Sequence, residues 1–451
     1  MSGAPAGGEL ARRLGTFDAV MIGLGSMVGA GVFAAFTPAA QAAGGGLLVG
    51  LAIAALVAFC NATSSAQLAA QYPTSGGTYV YGRQRLGEWY GFLAGWGFVI
   101  GKTASCAAMA LTFASYAAPD GWARPVAVAA VLALAAVNYR GVTRTARLAK
   151  IIVTVVLAAL AVVVAAGLAG GQAQADRLGG WDDVIGGDVI GGGAYGILQS
   201  AGLLFFAFAG YARIATMGEE VRDPGRTIPR AIGAALGIAL VVYAVVAVSI
   251  LSVLGADGVA ATAAPLAAAV DAGTWSWAGP VVRLSGAAAC LGALLALLAG
   301  IGRTSLAMAR NGDLPRWLAA VHPRYRVPHH AEATLAVVVS AFVLVADLRG
   351  AIGFSSFGVL LYYLVANLAA WTQIGRDRRY PKALQVIGAL GCAVLVATLP
   401  VASILGGLAV YLLGVLYRLY RLASARKKTT GLEENDRITG QDGRGAKGDR
   451  R

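Results

Sequence analysis

Ile22-Gly-Leu-Gly-Ser-Met-Val-Gly-Ala-Gly-Val-Phe33 places four glycines in twelve residues of an otherwise apolar stretch running from Phe17 to Ala43. The surrounding run is long enough to cross a hydrocarbon layer of roughly 30 Å, which takes about 20 apolar residues. Glycine weakens a helix by about 1 kcal/mol per site relative to alanine and lets another backbone approach closely. The segment therefore reads as a membrane helix with a candidate break in its middle. A second reading is open: small-xxx-small spacing such as Gly25-x-x-x-Gly29 also serves close helix packing alone. No strand precedes the glycines and no acidic residue follows in a βαβ unit, so the string is not a dinucleotide fingerprint.

Working outward, similar apolar runs recur to about Arg421. They lie near Phe17 to Ala43, Gly46 to Ala70, Glu88 to Ala117, Pro125 to Tyr139 and Thr145 to Ala169. A second set lies near Gly193 to Met217, Ile228 to Leu254, Gly279 to Met308, Glu332 to Ala346, Ala351 to Gln373, Lys382 to Leu399 and Val401 to Leu419. The expected fold is an all-α polytopic membrane protein of twelve transmembrane helices. Composition agrees: 58% of the 451 residues are apolar and only 13% charged, which excludes an ordinary soluble domain. The net charge of +14 is not gathered with aromatics on a patch, so nucleic acid is not an expected partner. It follows topology instead. With both termini cytoplasmic, 30 of the 36 Lys and Arg residues fall on the inner side, four on the outer side (Arg124, Arg177, Arg283, Arg349), and two, Lys102 and Arg213, within spans; this is the positive-inside pattern. The first apolar run is too long and too glycine-interrupted for a signal peptide. The four cysteines all sit inside apolar runs, with neither metal spacing nor a disulfide framework. No cofactor or metal is expected. His322, His329 and His330 share one inner loop and read as surface histidines.

Five spans after the first, Leu204-Phe-Phe-Ala-Phe-Ala-Gly-Tyr211 carries a second apolar run that meets a polar break. Interrupted segments at matching positions of two halves point to an inverted-repeat transporter with its site near the midplane. Unwound backbone frees N–H and C=O groups that protein, water or ligand must satisfy, and half-helix N-termini attract a carboxylate. An amino acid meets both demands.

These residues, taken with Tyr72-Pro-Thr-Ser-Gly-Gly-Thr-Tyr-Val-Tyr81, Glu219-Glu-Val-Arg-Asp-Pro-Gly-Arg-Thr-Ile-Pro229, Ala307-Met-Ala-Arg-Asn-Gly-Asp-Leu-Pro315 and Val321-His-Pro323, resemble the amino acid–polyamine–organocation (APC) superfamily of permeases over nearly all of Phe17 to Leu419. The resemblance implies a leucine-transporter-type five-plus-five inverted repeat with helices 1 and 6 interrupted and two further helices. Its boundaries here are a cytoplasmic segment 1–16, a first repeat 17–169, a second repeat 170–373, the last two spans 374–421 and a disordered cytoplasmic tail 422–451. It also implies transport of amino acids by alternating access. On matching positions, the substrate carboxylate meets backbone amides of Ser26, Met27, Val28, Gly29, Ala30 and Gly31, while its amino group meets carbonyls of Phe206, Ala207, Phe208, Ala209 and Gly210. Phe206 stands where relatives place an aromatic lid, the alternative being core or lipid-facing packing.

Lys102 lies about halfway along the third span, where a charged lysine costs at least about 2.5 kcal/mol on insertion scales. It is a candidate coupling residue that loads and loses a proton during the cycle, or a lysine held by carbonyls for packing. Some relatives carry a lysine in the fifth helix; the matching residue here is Val156, which puts that role in doubt. Arg213 could pair with a substrate carboxylate, with Glu219 or Glu220, or reach the inner interface. Glu219 and Glu220, beside Arg222 and Arg226, read as salt-bridge partners that open and close with an inner gate. Asp18 opens the first helix and reads as a cap.

Gly286 to Gly300 contains no Ser, Thr or acidic residue, so the oxygen ligands that sodium needs are missing from the middle of the eighth span and sodium-independent transport is expected, with the proton as coupling ion. Two mid-span cations favour neutral or acidic amino acids. An exchanger, a cationic amino acid or polyamine transporter, and a non-transporting amino acid sensor are the alternatives; a sensor would carry an added soluble domain, and the stretch after Leu422 offers none. No enzyme constellation is visible. Expected partners are an amino acid substrate, the proton and membrane lipids, with Arg426, Lys427 and Lys428 near anionic headgroups. The excess of Arg (30) over Lys (6) with abundant Ala and Gly suggests GC-rich coding and a bacterial inner membrane.

Overall fold

The computed structural model describes residues 14–29, 31–74, 76–141, 146–178 and 193–445. Among them the secondary structure is helical apart from one isolated parallel bridge between Leu14 and Val221. The first apolar run is three consecutive pieces: α1 (Thr16–Met27), α2 (Gly31–Ala34) and α3 (Phe36–Ala43). Then come α4 (Leu47–Gln71), α5 (Gly77–Leu86), α6 (Glu88–Ala117), α7 (Ala123–Tyr139) and α8 (Ala146–Ala169). The next apolar run is again divided, into α9 (Ala194–Phe208), a 3-10 turn at Ala209–Tyr211 and α10 (Ala212–Ala215). It is followed by α11 (Pro224–Ala261), α12 (Pro265–Asp271), α13 (Gly279–Arg310), α14 (His329–Val345), α15 (Leu348–Trp371), α16 (Lys382–Thr398) and α17 (Val401–Gly445).

Nine helical segments among the described residues are long and apolar enough to cross a membrane, and α7, α14 and α16 are shorter apolar helices. The protein is an integral membrane protein by this architecture. Helix ends follow local chemistry. α6 begins after Gly87, whose φ of 105° only glycine adopts without strain. α11 opens on Pro224 at its first turn, one turn ahead of the expected Ile228, and its backbone leaves helical geometry at Gly255, φ 68°, directly after the expected end at Leu254.

The chain forms two compact units, Met1–Gly407 and Leu408–Arg451. In the first unit, α6 is the central element, packed against α13 and α15. The α6–α15 approach depends on glycines: a Cβ at Gly358 would lie 2.6 Å from the Gly97 carbonyl oxygen and 2.9 Å from Gly101 Cα, the small-residue device of membrane helix packing. A hydroxyl pair, Ser105 Oγ to Ser355 Oγ at 2.6 Å, joins the same two helices. The second unit consists of the distal part of α17. Its backbone is helical through Gly445. No proline interrupts the helix begun at Val401.

Candidate functional site

α1 ends at Met27, and Val28 and Gly29 form a buried turn before the chain re-enters helix at Gly31. Ala30, counted among the carboxylate-binding amides, lies outside the described residues. Ser26 does not point its hydroxyl away from the helix; Oγ donates to the Ile22 carbonyl at 3.0 Å, which leaves the backbone around the break as its polar feature. Against this turn lies the end of α9 and its 3-10 turn. A Cβ at Gly31 would lie 2.5 Å from Ala207 Cα and 2.6 Å from Ala207 Cβ, and one at Gly210 would lie 2.7 Å from Met27 N and run into the Ser26 carbonyl. Only glycine at these two positions lets the two interrupted runs touch backbone to backbone. The structure thus brings Ser26, Met27 and Gly31 together with Ala207 and Gly210.

The carbonyls near the second break have partners from other helices. Ala207 O accepts from Tyr243 Oη of α11 at 2.9 Å. Ala209 O accepts from Tyr363 Oη of α15 at 3.3 Å and faces Lys102 Nζ of α6 at 3.5 Å. Lys102 is 7% exposed, and this span-centre lysine contacts the break whose carbonyls the family resemblance expects to meet an amino group. Aromatic rings surround this backbone: Phe208 meets Tyr243 edge-on with centroids 5.0 Å apart, Phe205 meets Tyr363 at 5.8 Å, and Tyr211 tilts onto Tyr363 at 5.0 Å. Phe206 belongs to a buried apolar cluster with Ala34, Met109 and Leu203. Tyr243 and Tyr363 escape the sequence reading as site residues. The available signal was a tyrosine inside an apolar span, whose hydroxyl needs a partner when buried.

The end of the site near the start of α1 is tied by charge and backbone. Gly15 N donates to Asp18 Oδ2 at 3.0 Å, and Asp18 also pairs with Lys150 of α8, so the carboxylate that caps α1 also anchors it laterally. Leu14 N donates to Glu220 O at 3.1 Å and Arg222 N to Leu14 O at 2.9 Å. The segment before α1 is thereby stitched to the segment after α10, and Glu220 serves through its backbone. Arg213 is half-buried in α10, with Glu220 and Arg303 as the charged groups acting on it. Glu219 lies half-buried in the turn between α10 and the bridge at Val221.

Two motifs separated by over two hundred residues also meet. Tyr79 Oη donates to Asp313 Oδ2 at 2.8 Å and accepts from Asn311 Nδ2 at 2.9 Å, while Arg83 bridges Asp313 at 3.1 Å and Glu88 at 3.2 Å. Burial and the Asp313 carboxylate push the Tyr79 phenol up to about 12. This network fastens α5 to the end of α13. Among the described residues no three His, Cys, Asp or Glu side chains are grouped to hold a metal. His322 Nδ1 accepts from Arg324 N and Tyr325 N, both at 3.2 Å, which makes it a turn former.

Residues 14–418 match the family model described as amino acid permease. An uncharacterized transporter of Mycobacterium tuberculosis (strain ATCC 25618 / H37Rv) is 57% identical, covering 95% of this chain and 96% of the relative. Cationic amino acid transporter 7, chloroplastic, of Arabidopsis thaliana is 28% identical over 81% of this chain and 66% of its own length. The branched-chain amino acid permease BcaP of Bacillus subtilis (strain 168) is 25% identical over 91% and 93%.

Proposed function

Because the chain belongs to the amino acid permease family, and is therefore a membrane transporter and not an enzyme, we propose that it carries amino acids by alternating access at a site built around its two helix breaks, which touch in this structure and part to admit substrate. The observation that carries the reading is the backbone contact of Gly31 and Gly210 with the opposite break, beside carbonyls that accept donors from α6, α11 and α15. In this reading twelve spans form the five-plus-five inverted repeat plus two, with both termini cytoplasmic in a bacterial inner membrane. The substrate carboxylate is received by amides of Ser26 to Gly31 and its ammonium by carbonyls of Phe206 to Gly210, with Phe206 as lid. Lys102 takes part in proton coupling, sodium is not required, and Arg213, Glu219 and Glu220 belong to the inner gate.

Neutral or acidic amino acids are the favoured substrates, since Lys102 and Arg213 both place positive charge within the bundle, and like charges repel strongly where water is scarce. The relative named as a branched-chain permease agrees with a neutral substrate. A second reading, cationic amino acids, rests on the relatives named as cationic amino acid transporters. The deciding experiment is uptake of radiolabelled amino acids into proteoliposomes with and without an inward proton gradient, with Lys102→Ala in parallel. Gradient-driven accumulation that Lys102→Ala abolishes is the expected result; gradient-independent uptake in both proteins would remove proton coupling, and preference for lysine or arginine over all neutral and acidic amino acids would select the second reading.

A further inference from the structure

Ala209 opens the 3-10 turn that ends α9, and its carbonyl oxygen receives two donors from outside its own helix, Tyr363 Oη at 3.3 Å and Lys102 Nζ at 3.5 Å. The second contact is long for a hydrogen bond and well within the reach of an ammonium–carbonyl attraction in a poorly hydrated interior. Lys102 is held there by rigid surroundings. Its neighbour Gly101 meets Gly358 backbone to backbone, and Ser105 is bonded to Ser355, so α6 cannot slide along α15 without breaking close packing. The chain itself therefore presents a primary ammonium to the break.

Resting on the reading that a substrate ammonium is received by this break, we propose that Lys102 is an internal occupant of the amine subsite and sets specificity for the substrate amine. Its ammonium holds the Ala209 carbonyl until a substrate amine displaces it. A substrate with an amine must take the carbonyl from Lys102; an analogue without one leaves Lys102 in place. Apparent affinity for the amine-bearing ligand is then lowered by the fraction of time the subsite is filled from within. Tyr363 remains as the second donor to the same oxygen and keeps the carbonyl partnered during the exchange. Displacement also links binding to movement of a charged side chain on the central helix.

The test uses the full chain in lipid nanodiscs and two variants. In Lys102→Ala the vacated space accepts a free alkylammonium, so n-propylammonium raises the thermal unfolding midpoint of the variant in a dose-dependent way, leaves the wild type unmoved, and n-propanol does neither. Absence of that rescue overturns the proposal whatever the substrate is. In Lys102→Met, which keeps the side-chain volume, binding is compared for two pairs: L-leucine with isocaproate, and L-glutamate with glutarate. Both members of a pair carry the same carboxylates, so the effect of the lost positive charge on those carboxylates cancels in their ratio, and the propylammonium rescue separates occupancy of the subsite from simple relief of like-charge repulsion. The amine-bearing member gains on the order of tenfold over its partner in the variant, as expected for a subsite filled about nine-tenths of the time; an unchanged or reduced ratio overturns the proposal. Rescue by propylammonium without binding of either amino acid pair would sink the amino acid reading and leave the internal occupant standing.

Discussion

Gly31→Ala puts one methyl group where the two breaks touch. Its Cβ would lie 2.5 Å from Ala207 Cα, 2.6 Å from Ala207 Cβ and 3.1 Å from Ala207 O, whereas unstrained carbon contacts sit at about 3.5 to 4.0 Å. The obstacle is backbone and a side chain with no torsion to turn, so the breaks must separate by about 1 Å. Overpacking of this kind costs about 1–3 kcal/mol. At about 1.4 kcal/mol per factor of ten, the touching arrangement loses about fivefold to more than a hundredfold in population. The expected outcome is a matching fall in initial uptake rate in proteoliposomes, with a lowered unfolding midpoint for the purified chain. Gly233→Ala is the control: its Cβ would meet nothing within 4 Å, and alanine in a helix interior is neutral or stabilising by up to about 1 kcal/mol. If Gly31→Ala moved amino acids and melted as the wild type does, the backbone contact between the breaks could not be part of the transport cycle.

Tyr243→Phe removes the 2.9 Å bond to the Ala207 carbonyl and leaves a buried acceptor alone, at a cost of about 1–3 kcal/mol. A lower unfolding midpoint and slower uptake are expected, and an unchanged midpoint would mean that water reaches this carbonyl. The Tyr79 phenol, pushed up to about 12 by burial and Asp313, binds its proton more tightly folded than unfolded. Its contribution is therefore complete below pH 10 and lost as pH rises toward 12; Tyr79→Phe should flatten the fall in stability over that window, and identical slopes would refute the α5–α13 latch. Replacing sodium by choline at fixed pH should leave uptake unchanged, because no hydroxyl or carboxylate occupies Gly286 to Gly300; sodium-dependent uptake would refute this.

Much of the fold was legible in the chain itself. Glu88 to Ala117 has the same limits in sequence and structure, because an apolar run bounded by Gly87 and a polar turn is a local property. The break after Met27 was readable for the same reason: glycine density weakens a helix wherever it lies. The second break was visible as a run meeting a polar residue, and glycine at 210 is required by a neighbour that sequence order cannot supply, since the Ser26 and Met27 backbone lies nearly two hundred residues away.

Sequence alone determined that this is a polytopic helical membrane protein, where its apolar segments lie and which of them is weakened by glycine, for these follow from hydropathy, length and backbone freedom within a few turns. Tertiary structure decided which groups answer the exposed backbone: Tyr243 for Ala207, Tyr363 and Lys102 for Ala209, and Asp313 for Tyr79. Those pairings depend on how each helix is rotated and how deeply it sits beside its neighbours. That rotation is set by the packing of small residues such as Gly101 against Gly358, a relation between distant segments that no local pattern encodes.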